Sequence, residues 1–177
     1  LQQDILGDRF RYPIYPGYCN VGRVAARAAN VTEFAVGDVV VSAAPHASYV
    51  KVDLLQTFDE RKRPTVRVPD GLPLPAAAFA RMAEIALTAV RVSSLSPGDR
   101  VLILGLGTVG NLAAQCFRLA GAEVMGADLS PFRIERAKAC GIERAVNPGQ
   151  ESLEAAVRGW TDGQGAHITV ESVGLSE

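Results

Sequence analysis

Val101-Leu102-Ile103-Leu104-Gly105-Leu106-Gly107-Thr108-Val109-Gly110 is the stretch whose reading decides the fold. Four apolar residues run into G-x-G-x-x-G. Val109, Leu112, Ala113, Cys116 and Phe117 then recur at the spacing of one helix face. The glycines therefore stand where a buried strand turns into a helix, the context that separates this motif from a chance match. Gly105 permits the tight turn, Gly107 lets backbone approach a pyrophosphate, and Gly110 lets the helix pack close to the strand. The first helical residues, Thr108 and Val109, offer free N–H groups and a partial positive charge to a diphosphate.

Working outward, Ala122 to Ala127 reads as a second strand. It leads to Asp128, 18 residues after Gly110, which fits the acidic residue expected about 20 residues on. Its carboxylate suits both hydroxyls of an adenosine ribose; taken alone, it could equally be a loop Asp capping the next helix. With the glycines and both strands, the pattern points to dinucleotide binding. NAD(H) is expected over NADP(H), because a carboxylate there repels a 2′-phosphate.

Ser130-Pro131 reads as N-cap and first position of a helix running to about Cys140, with Gly141 as its stop. A short strand at Ala145 to Pro148, a helix from Glu151 to Trp160, a loop at Asp162 to Gly165 and a strand from His167 to Val173 follow. The order βαβαβαβ with right-handed crossovers predicts a parallel, doubly wound Rossmann sheet.

Upstream, residues 1 to about 72 break into short β-segments punctuated by Gly and Pro. Tyr12 to Gly17 reads as an extended lead-in, and a strand begins at Asn20 and runs towards Ala28. Val39 to Val41 is a strand after the turn at Phe34 to Asp38. Ala47 to Val52 alternates as another. Glu60 to Arg63 is a solvated charge run, and Thr65 to Val68 leads into the turn Pro69-Asp70-Gly71. An Ala-rich helix is expected from Pro75 to about Leu95, burying Ile85, Thr88, Ala89 and Val92. The expected organisation is a β-rich domain at 1–78 and a dinucleotide-binding domain at 79–177, an α/β fold.

The net charge of -1 gives no reason to expect nucleic acid or an anionic membrane as partner. No apolar run approaches the ~20 residues that span a bilayer, and the start does not read as a signal peptide. Cys19, Cys116 and Cys140 are scattered and odd in number, so a disulfide framework is not expected and a reducing cytoplasm is the default. The chain opens on Leu1, and Val170 to Gly174 reads as a buried strand reaching a turn just before the last residue. Both ends read as cut, and a fragment of a longer chain is expected.

The order of signals resembles the medium-chain dehydrogenase/reductase superfamily, the relatives of zinc alcohol dehydrogenase and quinone oxidoreductase. Tyr15 to Val24 is similar to that family's P-G-H-E-x-x-G-x-V segment. Val36 to Val40 is similar to its V-G-D-x-V turn, and Pro97 to Gly110 to its P-G-D-x-V-x-x-x-G-x-G-x-x-G run. The resemblance implies part of a GroES-like β domain followed by part of a Rossmann domain. It also implies a homo-oligomeric full-length chain, and an Arg133 that matches a family Lys reaching the adenosine ribose.

The departures bear on chemistry. Tyr18 and Cys19 stand where the family has the His and Glu of G-H-E, and the family's cysteine ligand falls at about Ala80. No C-x-x-C occurs, and Val41 to Ser48 leaves no room for a structural zinc lobe. Zinc needs three or four convergent Cys, His or carboxylate ligands, so the resemblance is to a zinc-independent branch.

Carbonyl polarisation would then fall to a hydrogen-bond donor. Tyr18 is the candidate, as a proton donor or as a core residue filling the ligand's space. His46 lies on a loop near the presumed cleft, where an exposed loop His is the commoner reading, and Glu84 falls where it could meet a nicotinamide carboxamide or simply water. The expected function is hydride transfer between NAD(P)(H) and an alcohol- or carbonyl-type small molecule, without catalytic zinc. The alternatives are an NAD(P)-binding sensor without turnover and a methyltransferase with a similar glycine loop.

Overall fold

The computed structural model describes residues 17–54 and 65–174. The chain divides into two compact units, Leu1–Arg81 and Met82–Glu177. The expected lead-in before Gly17 and the charge run Glu60 to Arg63 lie outside the described residues.

The first unit is a three-stranded antiparallel sheet in the order β1 (Asn20–Arg23), β2 (Val39–Ser42), β3 (Val66–Arg67). Asn20 pairs with Ser42 and Arg23 with Val39, while Val66 pairs with Val41 on the other side of β2. Side-chain hydrogen bonds fix this small sheet. Ser42 is buried, and its Oγ donates to Asn20 Oδ1 at 2.8 Å. Asp38 accepts from the Ala35 N–H at 2.8 Å and from Arg67 at 2.6 Å, closing the turn before β2.

Two expectations fail here. The first strand stops at Arg23 rather than running towards Ala28; Val24 adds two more backbone bonds, its N–H donating to Asp38 O and its carbonyl accepting from the Gly37 N–H. Ala47 to Val52 forms no strand. Tyr49, Val50 and Val52 are all exposed, so the alternation has no buried face to point at.

The predicted helix from Pro75 is two helices, α1 (Leu74–Ala77) and α2 (Ala80–Val92). At the break, the Ala78 carbonyl accepts from Cys19 Sγ at 3.2 Å, a partner 59 residues away that no local pattern reveals. The buried face of α2 is also displaced. Ala86 is buried, and Ala89 and Val90 pack against the core of the second unit, while Ile85 and Val92 are exposed. Ile85 and Val92, and with them the expected Thr88, point outwards, and Ala86, Ala89 and Val90 take the inward positions.

The second unit is a four-stranded parallel sheet in the order β6 (Arg144–Val146), β5 (Glu123–Ala127), β4 (Arg100–Leu104), β7 (Ile168–Glu171). The helices α3 (Thr108–Leu119), α4 (Pro131–Ala139) and α5 (Leu153–Trp160) make the crossovers. This is the doubly wound α/β arrangement that the sequence predicts. Val101 and Ile103 of β4 are fully buried, with Phe117 and Ala114 of α3, Ala137 of α4 and Ile142 around them. Burying a side chain the size of Phe117 or Ile103 contributes about 1.5–3 kcal/mol each. The inward face of α3 is Gly110, Ala113, Ala114 and Phe117, whereas Val109, Leu112 and Cys116 are half-buried. The expected stripe is thus rotated, because close approach to the strand favours glycine and alanine over Leu112.

The opposite, N-terminal end of the sheet is tied by polar groups. Arg100 reaches Asp162 at 3.3 Å and Glu123 at 3.7 Å, and Trp160 Nε1 donates to Glu123 Oε2 at 3.3 Å. His167 precedes β7: its Nδ1 accepts from the Arg100 N–H at 2.9 Å, and its own N–H donates to Arg100 O. Helix α5 begins at Leu153, where Ser152 caps it by accepting from the Ala155 N–H. No helix among the described residues is long and apolar enough to cross a membrane.

Candidate functional site

The C-terminal ends of β4 and β5 meet at the glycine turn, the edge where open α/β sheets bind ligands. Gly105 has φ +89 and donates its N–H to Ala127 O at 2.8 Å. That left-handed backbone suits glycine and lets the chain leave β4 sharply. At Gly110 the constraint is space. A Cβ there would lie 1.9 Å from Gly105 O and 2.4 Å from Ser172 Oγ, so α3 sits this close to β4 only with hydrogen at that position.

Gly107 is different. It is the N-cap of α3, in extended conformation (φ -63, ψ -173), and makes no side-chain capping bond. A Cβ built on it meets nothing within 4 Å. The start of α3 at Gly107 and the exposed Thr108 therefore borders open space, whereas Gly110, one turn in, is buried. Uncapped N–H groups with the positive end of the helix dipole are suited to an anion of phosphate size.

Asp128 stands beside this turn and is buried, 8% exposed. Its Oδ2 accepts from the Leu106 N–H at 2.8 Å and its Oδ1 from the Ser130 N–H at 2.8 Å. Arg133 Nη1 lies 3.5 Å from Oδ2. Burial alone would push this carboxyl up; the two N–H bonds and the Arg133 guanidinium outweigh it and hold it below the usual carboxylate range. Asp128 is thus an ionised acid, and its Oδ1 also holds the N–H of Ser130, the N-cap of α4.

Gly105, Gly107, Thr108, Val109, Gly110, Asp128 and Arg133 are gathered at one end of the second unit. Glu84 stands exposed on α2 of the same unit. Tyr18 and His46 belong to the first unit. Tyr18 is 46% exposed at a bend, and His46 Nε2 lies 3.0 Å from Cys19 O with its ring against Gly17.

No group of three or more His, Cys, Asp or Glu among the described residues could hold a metal ion. Cys19 Sγ is turned to the Ala78 carbonyl, and the Ala80 position has no donor.

Two groups at the turn are absent from the sequence reading: the Leu106 N–H and the Ser172 hydroxyl, which lies 2.8 Å from Gly105 O. Motif spacing does not reveal them. Ser172 is legible only once β7 is known to lie beside β4, since ligand-facing groups collect at the C-terminal ends of adjacent strands.

Residues 108–177 match the model of the zinc-binding dehydrogenase family. D-guloside 3-dehydrogenase of Escherichia coli K12 is 29% identical over 158 residues, covering 89% of this chain and 44% of the relative. Scyllo-inosose 3-dehydrogenase of Thermotoga maritima is 34% identical over 134 residues, covering 74% of this chain and 34% of the relative. Among solved structures, the 2R,3R-butanediol dehydrogenase of Bacillus subtilis superposes with a TM-score of 0.70 at 25% identity, over 88% of this chain and 50% of the other. The chain spans about half the length, or less, of these proteins.

Proposed function

The chain belongs to the medium-chain dehydrogenase/reductase superfamily, and from that premise we propose that it is part of an NAD(H)-dependent oxidoreductase acting on an alcohol- or carbonyl-type small molecule without catalytic zinc. The observation that carries this reading is the open, uncapped start of α3 at Gly107, beside an Asp128 carboxylate held 2.8 Å from the Leu106 N–H. The α3 N-terminus would hold the pyrophosphate, and Asp128 would take the adenosine ribose hydroxyls. When bound, the nicotinamide supplies or accepts the hydride.

Preference for NAD(H) follows from charge. A buried, ionised Asp128 repels a 2′-phosphate, and Arg133 is directed at that carboxylate. Discrimination of roughly 2–3 kcal/mol against NADPH is expected from such an unpaired charge contact. Titration of the full chain with NADH and NADPH tests this, with Asp128→Ser shifting the balance towards NADPH. A wild-type preference for NADPH, or no shift in the variant, would remove Asp128 from the ribose site.

The zinc-free part of the proposal rests on Tyr18, Cys19 and Ala80 at the family's ligand positions. Close to one zinc per chain in the purified protein would overturn it. Tyr18 is then the proposed proton donor to the developing alkoxide. Tyr18→Phe should lower kcat about 100-fold with little change in cofactor affinity, and unaltered turnover would make Tyr18 a space-filling residue. A second reading, a dinucleotide-binding sensor without turnover, is favoured by the same missing zinc donors. NADH consumption with alcohol or carbonyl substrates separates it from the enzyme.

A further inference from the structure

The hydroxyl of Ser172 closes the glycine turn from the side opposite Asp128. In the sheet, β5 and β7 flank β4; Asp128 follows β5 and Ser172 follows β7. The Ser172 N–H donates to Leu104 O at 2.8 Å, carrying the ladder one residue beyond β7. Its Oγ lies 2.9 Å from Leu104 O and 2.8 Å from Gly105 O, so one hydroxyl proton serves two carbonyls at the turn.

The peptide unit between Gly105 and Leu106 is therefore gripped at both ends. Its carbonyl oxygen accepts from Ser172 Oγ, and its N–H donates to Asp128 Oδ2 at 2.8 Å. Gly105 and Leu106 are both buried, and a buried carbonyl without a donor is costly. Gly105 also has the left-handed φ that glycine reaches at little cost, so its peptide planes are held by these bonds rather than by side-chain sterics. Rotation of this plane would redirect the chain entering Gly107 and the first N–H groups of α3.

We propose that Ser172 is a positioning residue for dinucleotide binding: it fixes the Gly105–Leu106 peptide and so aims the start of α3 at the pyrophosphate. This rests on the reading of the glycine turn as the dinucleotide site. The hydroxyl touches neither ribose nor phosphate in this role; it acts through the backbone it holds. Phosphate-bearing ligands should feel its loss, and a ligand that engages only Asp128 should not.

The test is calorimetric titration of the full chain with NADH, ADP and adenosine, for wild type, Ser172→Ala and Ser172→Thr. Ser172→Ala should weaken NADH and ADP about tenfold and leave adenosine within about twofold, the loss of one net hydrogen bond acting on the phosphate contacts alone. Ser172→Thr, which keeps the hydroxyl, should restore both. Unchanged NADH affinity in Ser172→Ala overturns the proposal. An equal loss for adenosine also overturns it, by making the effect one of general packing. A folded wild type that binds no NADH overturns the dinucleotide site itself, a separate failure. Should Ser172→Ala not fold, Ser172→Cys, a near-isostere with a weaker donor, should show the same pattern at smaller size; its absence there counts equally against the role.

Discussion

Arg67 and Asp38 meet at 2.6 Å on the surface of the first unit, whereas Phe117 and Ile103 are sealed inside the second. The contrast runs through both. Among the described residues of the first unit, only Ser42, Val68 and Ala77 are buried, and turns such as Ala35 to Asp38 are shaped by side-chain hydrogen bonds. The second unit has a contiguous apolar core under a parallel sheet, from Val101 through Phe117 to Ile142. A loop that must hold backbone N–H groups towards a ligand needs a stiff base, and the glycine turn stands directly on that core through Leu106. The candidate Tyr18, by contrast, is half exposed at a bend just before β1, beside a small sheet of short strands.

The contrast breaks if removal of core volume costs the same in both units. Phe117→Ala should destabilise the second unit by about 3–5 kcal/mol, by lost transfer energy plus the cavity left behind. Val66→Ala in β3, where the side chain is half exposed, should cost less than about 1 kcal/mol. Scanning calorimetry of the full chain resolves the two, and equal shifts would remove the distinction.

Gly107→Asp sharpens it, because it separates the stability of the second unit from its proposed use. Gly107 has an extended φ and open space around its Cβ, and aspartate is a favoured N-cap. The variant should fold as stably as wild type. Its carboxylate would nevertheless occupy and repel the phosphate position, so NADH affinity should fall about 100-fold or more, the scale of a lost charged contact. Undiminished affinity would leave the motif as a packing turn only.

The smallest effect is acid sensitivity. The folded-state pKa of Asp128 lies below its ordinary value, so its contribution to stability is complete above the unfolded value, about 4. That contribution is lost as pH falls through the depressed folded value. Asp128→Asn should therefore show a shallower loss of stability than wild type below about pH 4 in denaturant unfolding. Identical pH profiles would mean that the Leu106 and Ser130 bonds do not favour the charged form.

What was legible in the sequence follows the same division. The parallel sheet could be read because β4 is a continuous apolar run, the glycines are spaced by the turn itself, and Ser130-Pro131 marks the start of α4. These signals are local. At the break between α1 and α2 Cys19 meets the Ala78 carbonyl across 59 residues, a contact that Ala-rich composition cannot show. Ala47 to Val52 has the alternation of a strand but buries no face, since Tyr49 is 85% exposed. At the candidate site, the glycines and Asp128 were visible from spacing. Ser172 was not, because its role depends on which strand becomes the neighbour of β4.

Trp160 is the chain's single tryptophan, at the end of α5, with its indole N–H on Glu123 at the first residue of β5. Its emission is therefore an optical reporter of the second unit alone: unfolding of the β-sheet unit leaves it dark to the experimenter. Its position also sets what it can sense of a ligand. Four residues of β5, Val124 to Ala127, lie between Glu123 and Asp128, a span of roughly 16 Å at about 3.3 Å per residue step. Were NADH held at the proposed site, its quenching of this indole would report energy transfer through space rather than contact, and an oxidised cofactor that does not absorb at the indole emission would cause no such transfer.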